Sequence, residues 1–437
     1  MKFSEFANYL EKLEATSSRL TLIEILSELF KKTPASEIEK IVYLTQGRIA
    51  PFFAPVEIGM AEKSVAKSLA AAYEEKVEHV TREYNRLGDM GLVARDLAKN
   101  HESPLHQGSA EQARIKNHEL TVADVFEILT QISKISGEGT VERRQSLLSE
   151  LLKKLDSISA KHLVRVPLGN TRLGIGDPTI LDALATAKLG DKSNRKLLEG
   201  AYNRTSDLGL IAKTLWEKGL PAVEKLEVRV GSPIRSELCE RLPNPEKVIE
   251  KMKVVDVQYK YDGFRVQIHK EGQEVRMFSR NLEEMTHMFP ELIKATLEQV
   301  KADTVILDTE ALAYNPESEE FLPFQETTKR RRKHGIEEAA LKLPLKAFVF
   351  DILYKNGKQL LDEPLTKRME ILSETIKEDG VLIRTKNQTV KDPKILSLLL
   401  EDAISKGLEG LVVKRLQSPY EAGGRNFNWV KLKRHSD

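Results

Sequence analysis

The chain changes its hydrophobic period near its middle. Up to about residue 225 the apolar positions recur every three to four residues, the spacing of helices with one buried face. Ser36 precedes Ile38, Ile41, Val42 and Thr45, and Gly47 follows in the stop position, which predicts a capped amphipathic helix. Thr121 and Asp124 make an approximate capping box ahead of Val125, Phe126, Ile128, Leu129 and Ile132. Gly219-Leu220-Pro221 closes the helical region, and Leu226 to Val230 before Gly231-Ser232-Pro233 reads as the strand that opens a second domain. Beyond it the period becomes two. Val255, Val257, Tyr259 and Tyr261 alternate with Asp256, Gln258, Lys260 and Asp262, so a strand would put Lys260 on one face with Gln258 and Asp262. Phe264, Val266 and Ile268 extend a second strand to a hairpin turn at Lys270-Glu271-Gly272-Gln273, and Val275 to Phe278 form the third. Ala347 to Tyr354 reads as a buried strand.

The helical half contains a repeat. Tyr84-Asn85-Arg86-Leu87-Gly88-Asp89-Met90-Gly91-Leu92 is echoed by Tyr202-Asn203-Arg204-Thr205-Ser206-Asp207-Leu208-Gly209-Leu210, so one helical unit occurs twice. Gly88, Gly91 and Gly209 would let backbone approach closely or let a helix start, where free amides favour phosphate. Two similar loops could grip the two sides of a duplex.

Length and charge restrict the reading. A chain of 437 residues makes two or three domains. A net charge of +2 means that any nucleic-acid binding rests on local basic patches. The densest is Lys329-Arg330-Arg331-Arg332-Lys333, where Arg330 and Arg331 are candidate contacts to a DNA backbone. The single cysteine, Cys239, reads as a small core residue and excludes a disulfide framework or a cysteine-rich zinc module. With no signal peptide and no long apolar run, a cytoplasmic, nucleoid-associated protein without membrane contact is expected.

The candidate chemistry lies in the second half. Lys260 stands in Lys-Tyr-Asp-Gly-Phe-Arg, a pattern too short to decide anything alone. Arg280 offers a guanidinium fork for a phosphate or ribose edge. Asp308 and Glu310, two apart on a strand, would point to one face as hard oxygen ligands suited to magnesium. Phe350 could stack on a base if its face is open. Glu409 sits at the start of an apolar run with Lys414 near its end, and Lys431 and Lys433 share a strand face with Trp429. An attacking lysine must be helped, because at pH 7 a free one is neutral in less than about one part in a thousand. Lys414, Lys431, Lys433 and a magnesium ion would supply the neighbouring positive charge.

In order and type these motifs resemble the ATP-dependent DNA ligases, archaeal and eukaryotic in type, that carry a helical DNA-binding domain ahead of the catalytic core. The resemblance runs over nearly the whole chain. It implies an all-α DNA-binding domain over residues 1–225 and an α+β nucleotidyltransferase (adenylation) domain, built on antiparallel sheets, over 226–437. It implies that Lys260 takes AMP from ATP and passes it to a nick in duplex DNA. Gln258 would help recognise adenine, Phe350 would stack on it, and Arg265 and Arg280 would contact the nucleotide or the nick phosphate. Glu310 would hold the ribose or assist the metal, Glu409 would be a second metal-site carboxylate, and Lys414, Lys431 and Lys433 would neutralise the phosphates. Leu168-Gly169-Asn170-Thr171-Arg172 resembles part of the family's DNA-binding domain, with Arg172 as its foremost DNA contact. A monomer that works with a sliding clamp is the expected assembly.

Relatives continue past Trp-x-Lys-x-Lys into a small barrel. The expectation is therefore a truncated form, impaired in self-adenylation and nick sealing unless the barrel is supplied. RNA ligases and capping-type guanylyltransferases share the Lys-x-Asp-Gly chemistry, and a non-catalytic DNA clamp is the reading from another class. No Gly-x-x-x-x-Gly-Lys-Ser/Thr signature of a P-loop ATPase is found.

Overall fold

Helices fill the first half because its apolar stripes have one another to pack on. The computed structural model describes residues 1–102 and 120–434. It divides into two units, Met1–Tyr202 with Asp207–Lys225, and Asn203–Ser206 with Leu226–Asp437.

The first unit is helical: α1 (Phe3–Glu14), α2 (Arg19–Lys32), α3 (Ile38–Thr45), α4 (Glu62–Ala72), α5 (Val77–Leu87), α6 (Met90–Glu102), α7 (Val122–Lys134), α8 (Thr140–Lys153), α9 (Ser157–Arg165), α10 (Asp177–Leu189), α11 (Arg195–Thr205), α12 (Leu208–Lys218) and α13 (Leu220–Glu224). The Thr121 box forms in full, with the Thr121 hydroxyl accepting from the Asp124 amide and the Asp124 carboxylate from the Thr121 amide. Helix α3 stops at Gly47 as expected, but Ser36 does not cap it, since the N-cap position falls on Glu37 and no side chain bonds the first turn.

The sequence repeat is a structural repeat. In both copies the chain turns from one helix into the next through a left-handed residue, Gly88 (φ +69°) and Ser206 (φ +56°). An aspartate then accepts from an amide of the following helix. Asp89 takes the Gly91 amide at 2.9 Å, and Asp207 the Leu210 amide at 3.0 Å. The glycines serve packing. A Cβ on Gly91 would lie 2.6 Å from Arg165 Nε, and one on Gly209 would overlap the Tyr43 ring.

Beneath the first copy lies a buried charge network on α9. Lys161 and Arg165 both reach Glu14, at 2.9 and 3.0 Å, Arg165 also holds Asp89, and His162 Nε2 lies 2.7 Å from Glu11. Glu11, Glu14 and His162 are clustered closely enough to suggest a metal site, but the two buried cations already neutralise them.

The second unit contains β1 (Leu238–Arg241), α14 (Pro245–Met252), β2 (Val255–Lys260), β3 (Phe264–Glu271), β4 (Glu274–Ser279), α15 (Pro290–Gln299), β5 (Thr304–Ala313), α16 (Phe324–Thr328), α17 (Ile336–Lys342), β6 (Leu345–Lys355), β7 (Lys358–Gln359), α18 (Leu365–Thr375), β8 (Leu382–Arg384), β9 (Gln388–Val390), α19 (Pro393–Ser405), β10 (Gly410–Arg415) and β11 (Arg425–Lys433). One sheet runs β1-β11-β10-β2-β9, the other β4-β3-β5-β6-β7 with β8 beside β6. Both are mainly antiparallel, though β1 pairs with β11 and β8 with β6 in parallel. Each sheet buries its outer face under its own helices. Val255, Val257, Leu411, Val413, Val430 and Leu432 pack with Val248 and Leu396, and Val266, Ile268, Leu307 and Val349 pack with Leu292 and Leu372. Between the sheets Ile306, Leu353, Tyr420 and Trp429 form a third, smaller core.

The strand expected at Leu226–Val230 does not form. Side chains take its backbone groups instead. Gln359 accepts from the Val228 amide at 2.8 Å, His269 from Gly231 at 2.9 Å, and Gln267 bonds both the amide and the carbonyl of Ile234 at 2.8 Å.

The α9 network makes acid stability a test of this packing. Burial, reinforced by Arg165 and against the pull of Glu11, lowers His162 to about 4. The unfolded chain, with a normal histidine, binds the extra proton first, so stability should fall as pH drops from about 6.5 to 4. Glu14, which Arg165 and Lys161 lower to about 2 against its burial, adds a second loss between about 4.5 and 2. In denaturant titrations across this range, His162→Gln should flatten the upper step, worth on the order of 3 kcal/mol, and leave the lower one.

Candidate active site

Register builds the floor of the site. β10 lies between β2 and β11, so Gly410 faces Lys260 on one side and Lys433 on the other. The next inward row is Gln258, Val412 and Lys431, and the third is Asp256, Lys414 and Trp429. Side chains of alternate residues share a face, so these three rows point away from the helices α14 and α19. All of their residues except Gly410 and Asp256 line a cavity of about 670 Å³.

The roof comes from the second sheet. Arg265 on β3 and Glu310 on β5 are cross-strand partners that line the cavity. Phe350 reaches it from an irregularity in β6, where Asp308 pairs with Asp351 and Thr309 with Val349, so that Phe350 is left outside the ladder. Gly263 joins floor to roof. A Cβ there would collide with the Ala311 carbonyl, and its amide donates to Glu310, which accounts for the glycine after Asp262.

At the Lys260 end, charges converge. Lys260 Nζ contacts Glu409 Oε2, and Lys433 Nζ donates to Glu409 Oε1 at 2.8 Å. Burial first, then the Lys433 charge, hold the Lys260 amine below its usual range. Lys414 and Lys431, expected to share that task, stand in other rows. Glu310 is pushed up to about 7 by burial, opposed by Arg265 and Lys260. At the other end Lys414 Nζ lies 4.0 Å from the Trp429 ring centroid and 4.8 Å from that of Phe350, and has no hydrogen-bond partner among the described residues.

Of the residues singled out from sequence, Lys260, Gln258, Arg265, Arg280, Glu310, Phe350, Glu409, Lys414, Lys431, Lys433 and Arg331 all line this one cavity. Three placements differ from expectation. Asp308 is fully buried and does not line the cavity; it holds Arg265 at 2.9 and 2.6 Å and accepts from the Tyr420 hydroxyl at 2.7 Å, which removes it as a metal ligand there. Arg330 is also fully buried, bound to Glu291 at 2.8 Å and the Leu343 carbonyl at 2.7 Å, and so cannot meet DNA. Gly91 and Gly209 are buried in helix contacts, which removes them as phosphate grips. Arg172 is 44% exposed, with Nη2 donating to the Gly88 carbonyl at 2.7 Å. Sequence reasoning missed Thr385, whose buried hydroxyl has no partner among the described residues; Cys239, read as a core residue, packs against the Trp429 core and also lines the cavity. No motif marked Thr385.

The carboxylates that fit magnesium are Glu310 and Glu409, hard oxygen donors among cations at the Lys260 end.

Comparison with known proteins agrees with this arrangement. A family described as ATP dependent DNA ligase domain matches residues 236–433, and one described as DNA ligase N terminus matches residues 2–185. The chain is 44% identical over 434 residues to a probable DNA ligase of Dictyoglomus turgidum, covering 99% of this chain and 72% of that protein. It is 40% identical over 439 residues to DNA ligase 2 of Thermofilum pendens, with coverage of 99% and 72%. A DNA ligase of Sulfolobus acidocaldarius is 38% identical over 443 residues, with 99% and 73% covered. The chain therefore belongs to the ATP-dependent DNA ligases, enzymes that bind nicked DNA and seal it at the cost of ATP with magnesium. Among the described residues no helix is long and apolar enough to cross a membrane.

The burial of Arg330 separates it from its neighbour. Arg330→Met should destabilise the fold by about 3–5 kcal/mol, the effect of stranding a buried partner. Arg331→Ala should leave the melting temperature nearly unchanged and weaken nucleotide or DNA binding, as thermal unfolding and binding isotherms on the same samples will show.

Proposed function

We propose that Lys260 is the residue that carries AMP, and that the cavity around it is where ATP is cleaved. The observation that carries this reading is the Lys260 row: a half-buried amine held by Glu409, beside the charge of Lys433, with its pKa lowered. A lowered pKa gives a larger fraction of neutral amine, the form that can attack.

Lys260 Nζ attacks the α-phosphorus, a nitrogen–phosphorus bond forms, and the bond to the bridging oxygen breaks, with pyrophosphate leaving on that electron pair. The amine gives up a proton to Glu409 Oε2, the carboxylate oxygen in contact with it. Lys433 and Lys431, on the same strand face, offset the charge that develops on the phosphates. Magnesium, when bound at Glu310 and Glu409, supplies further neutralisation of the phosphate oxygens. In the second step a 5′-phosphate oxygen at the nick attacks the lysyl-AMP, forming a pyrophosphate link and freeing Lys260. In the third the 3′ hydroxyl attacks that 5′ phosphorus and AMP departs.

Arg265 works from a fixed position. Asp308 takes two of its N–H groups, and the Glu237 carbonyl accepts a third at 2.6 Å. Its guanidinium is 5.2 Å from the Phe350 ring centroid, so it braces the aromatic wall while presenting the remaining donors to the ligand. Arg280, exposed at the cavity mouth, is the freer cation for phosphate.

In the helical unit Arg172 is proposed as a contact to the DNA backbone. Its exposure and its place at the edge of a second cavity of about 530 Å³, with Lys63 and Asn170, support this. A nick sealer must accept any sequence, so phosphate contact is what the task needs.

Two tests follow. With α-labelled ATP and magnesium, this chain should retain label after denaturation and Lys260→Ala should not. Lys433→Gln should move the rising limb of the pH–rate profile of labelling to higher pH, because Lys260 loses a neighbour that favours its neutral form; an unmoved limb would show that Lys433 does not tune it. Arg172→Ala should weaken binding to nicked duplex and lower the slope of log K against log salt by about 1. An unchanged slope would place the DNA elsewhere.

A further inference from the structure

Asp256 has no part in the chemistry described so far. It is 4% exposed, two residues before Gln258 on the inward face of β2, and it does not line the cavity. It touches Gln258, which does. Gln258 Nε2 donates to Asp256 Oδ2 at 3.3 Å and to Asn387 Oδ1 at 3.4 Å. Both N–H groups of the amide are therefore in use, while its Oε1 accepts from no described residue.

Which way that amide points depends on Asp256. An ionised carboxylate accepts and never donates, so it admits only the NH2 side of a neighbouring amide. Asn387 also bonds Asp256, which turns its own NH2 toward the carboxylate and its Oδ1 toward Gln258. One acceptor thus orients two amides. Burial pushes Asp256 up to about 6, opposed by Lys414, the residue opposite it on β10, so the carboxylate is ionised at neutral pH.

We infer that Asp256 is a positioning residue for base selection: by holding the Gln258 amide it presents Gln258 Oε1 to the cavity as an acceptor, which suits the 6-amino group of adenine and opposes the 6-oxygen of guanine. Adenine shows an N–H donor at position 6 where guanine shows an acceptor. The stacking surface lies at the same end of the cavity, since Lys414, next to Asp256 across the ladder, is 4.8 Å from the Phe350 ring centroid. Thr385, two residues before Asn387, adds an unpartnered buried hydroxyl on the same wall that can meet a ring nitrogen.

The inference rests on the proposal that the base of ATP lies in this cavity, and the experiment tells the two apart. Labelling of the full chain is compared with α-labelled ATP and α-labelled GTP for the parent, Asp256→Asn, and the double variant Asp256→Asn with Gln258→Glu. Asparagine at 256 can donate as well as accept, so Gln258 is free to turn, and the ATP-to-GTP ratio should fall by about tenfold or more. A carboxylate at 258 offers an acceptor whichever way it turns, so the double variant should recover preference for ATP. A purely structural role for Asp256 would not be rescued by that second change. A ratio unchanged in Asp256→Asn, or lost there and not regained in the double variant, overturns the inference. No label on the parent from either nucleotide counts instead against Lys260 as acceptor. The same ratio is then read from calorimetric affinities for ATP and GTP, where equal affinities for the parent overturn the base selection as well.

Discussion

The antiparallel pairing of β2, β10 and β11 decides what the site can be. Lys260 opposes Gly410, and Gly410 opposes Lys433, so two ammonium groups flank a residue with no side chain, and the space above it is left for ligand. Glu409 precedes Gly410 and reaches both amines. A slip of one residue along β10 would turn Val412 and Lys414 to the helix side and bring Leu411 and Val413 into the cavity. The apolar face of β10, packed under α14 and α19, is what prevents that slip. Burial on one side of the sheet thus fixes the geometry of charges on the other.

Facing polar surfaces create a second requirement, because inward side chains between two sheets have little water to bond. Arg265, Asp308, Tyr420 and the Glu237 carbonyl satisfy one another, which fixes the guanidinium that lines the cavity. Glu237 shows what an incomplete arrangement does. Its Oε2 accepts from the Glu421 amide, its Oε1 has no partner, and burial pushes its carboxyl up to about 8. Asp308 belongs to this bracing, which is why its motif partner Glu310, and not it, is left facing the Lys260 end.

What was legible in the sequence was local and periodic. The alternation from Val255 to Lys260 gave the strand and its shared face, although the strand ends before Asp262; the Gly272 turn gave the hairpin, and Thr121 with Asp124 gave a cap, because each depends on neighbours a few residues apart. The repeat at Tyr84 and Tyr202 was visible because both copies keep the aspartate that caps the next helix. What failed depended on distant partners. Leu226–Val230 has a strand composition, yet Gln359 and His269 satisfy its neighbourhood from elsewhere in the chain. Arg330 sits among five basic residues, and nothing in that run reveals that Glu291 buries one of them. The polar face of β2 already contained Asp256, but its link to Gln258 appears only when Asn387 is brought beside both.

The position of Phe350 outside the β5–β6 ladder has a consequence for how such a site can change. A residue within the ladder is constrained by its cross-strand neighbours on both sides, so replacing it disturbs pairing along with shape. A bulged residue is released from that pairing, and the local bend re-aims its side chain, here toward the cavity. The proposed stacking surface is therefore set by the bulge, while the row carrying Lys260 and Lys433 is held by register. In such a scaffold, shifting or removing the bulge would reshape the stacking wall without moving the amines that the register aligns.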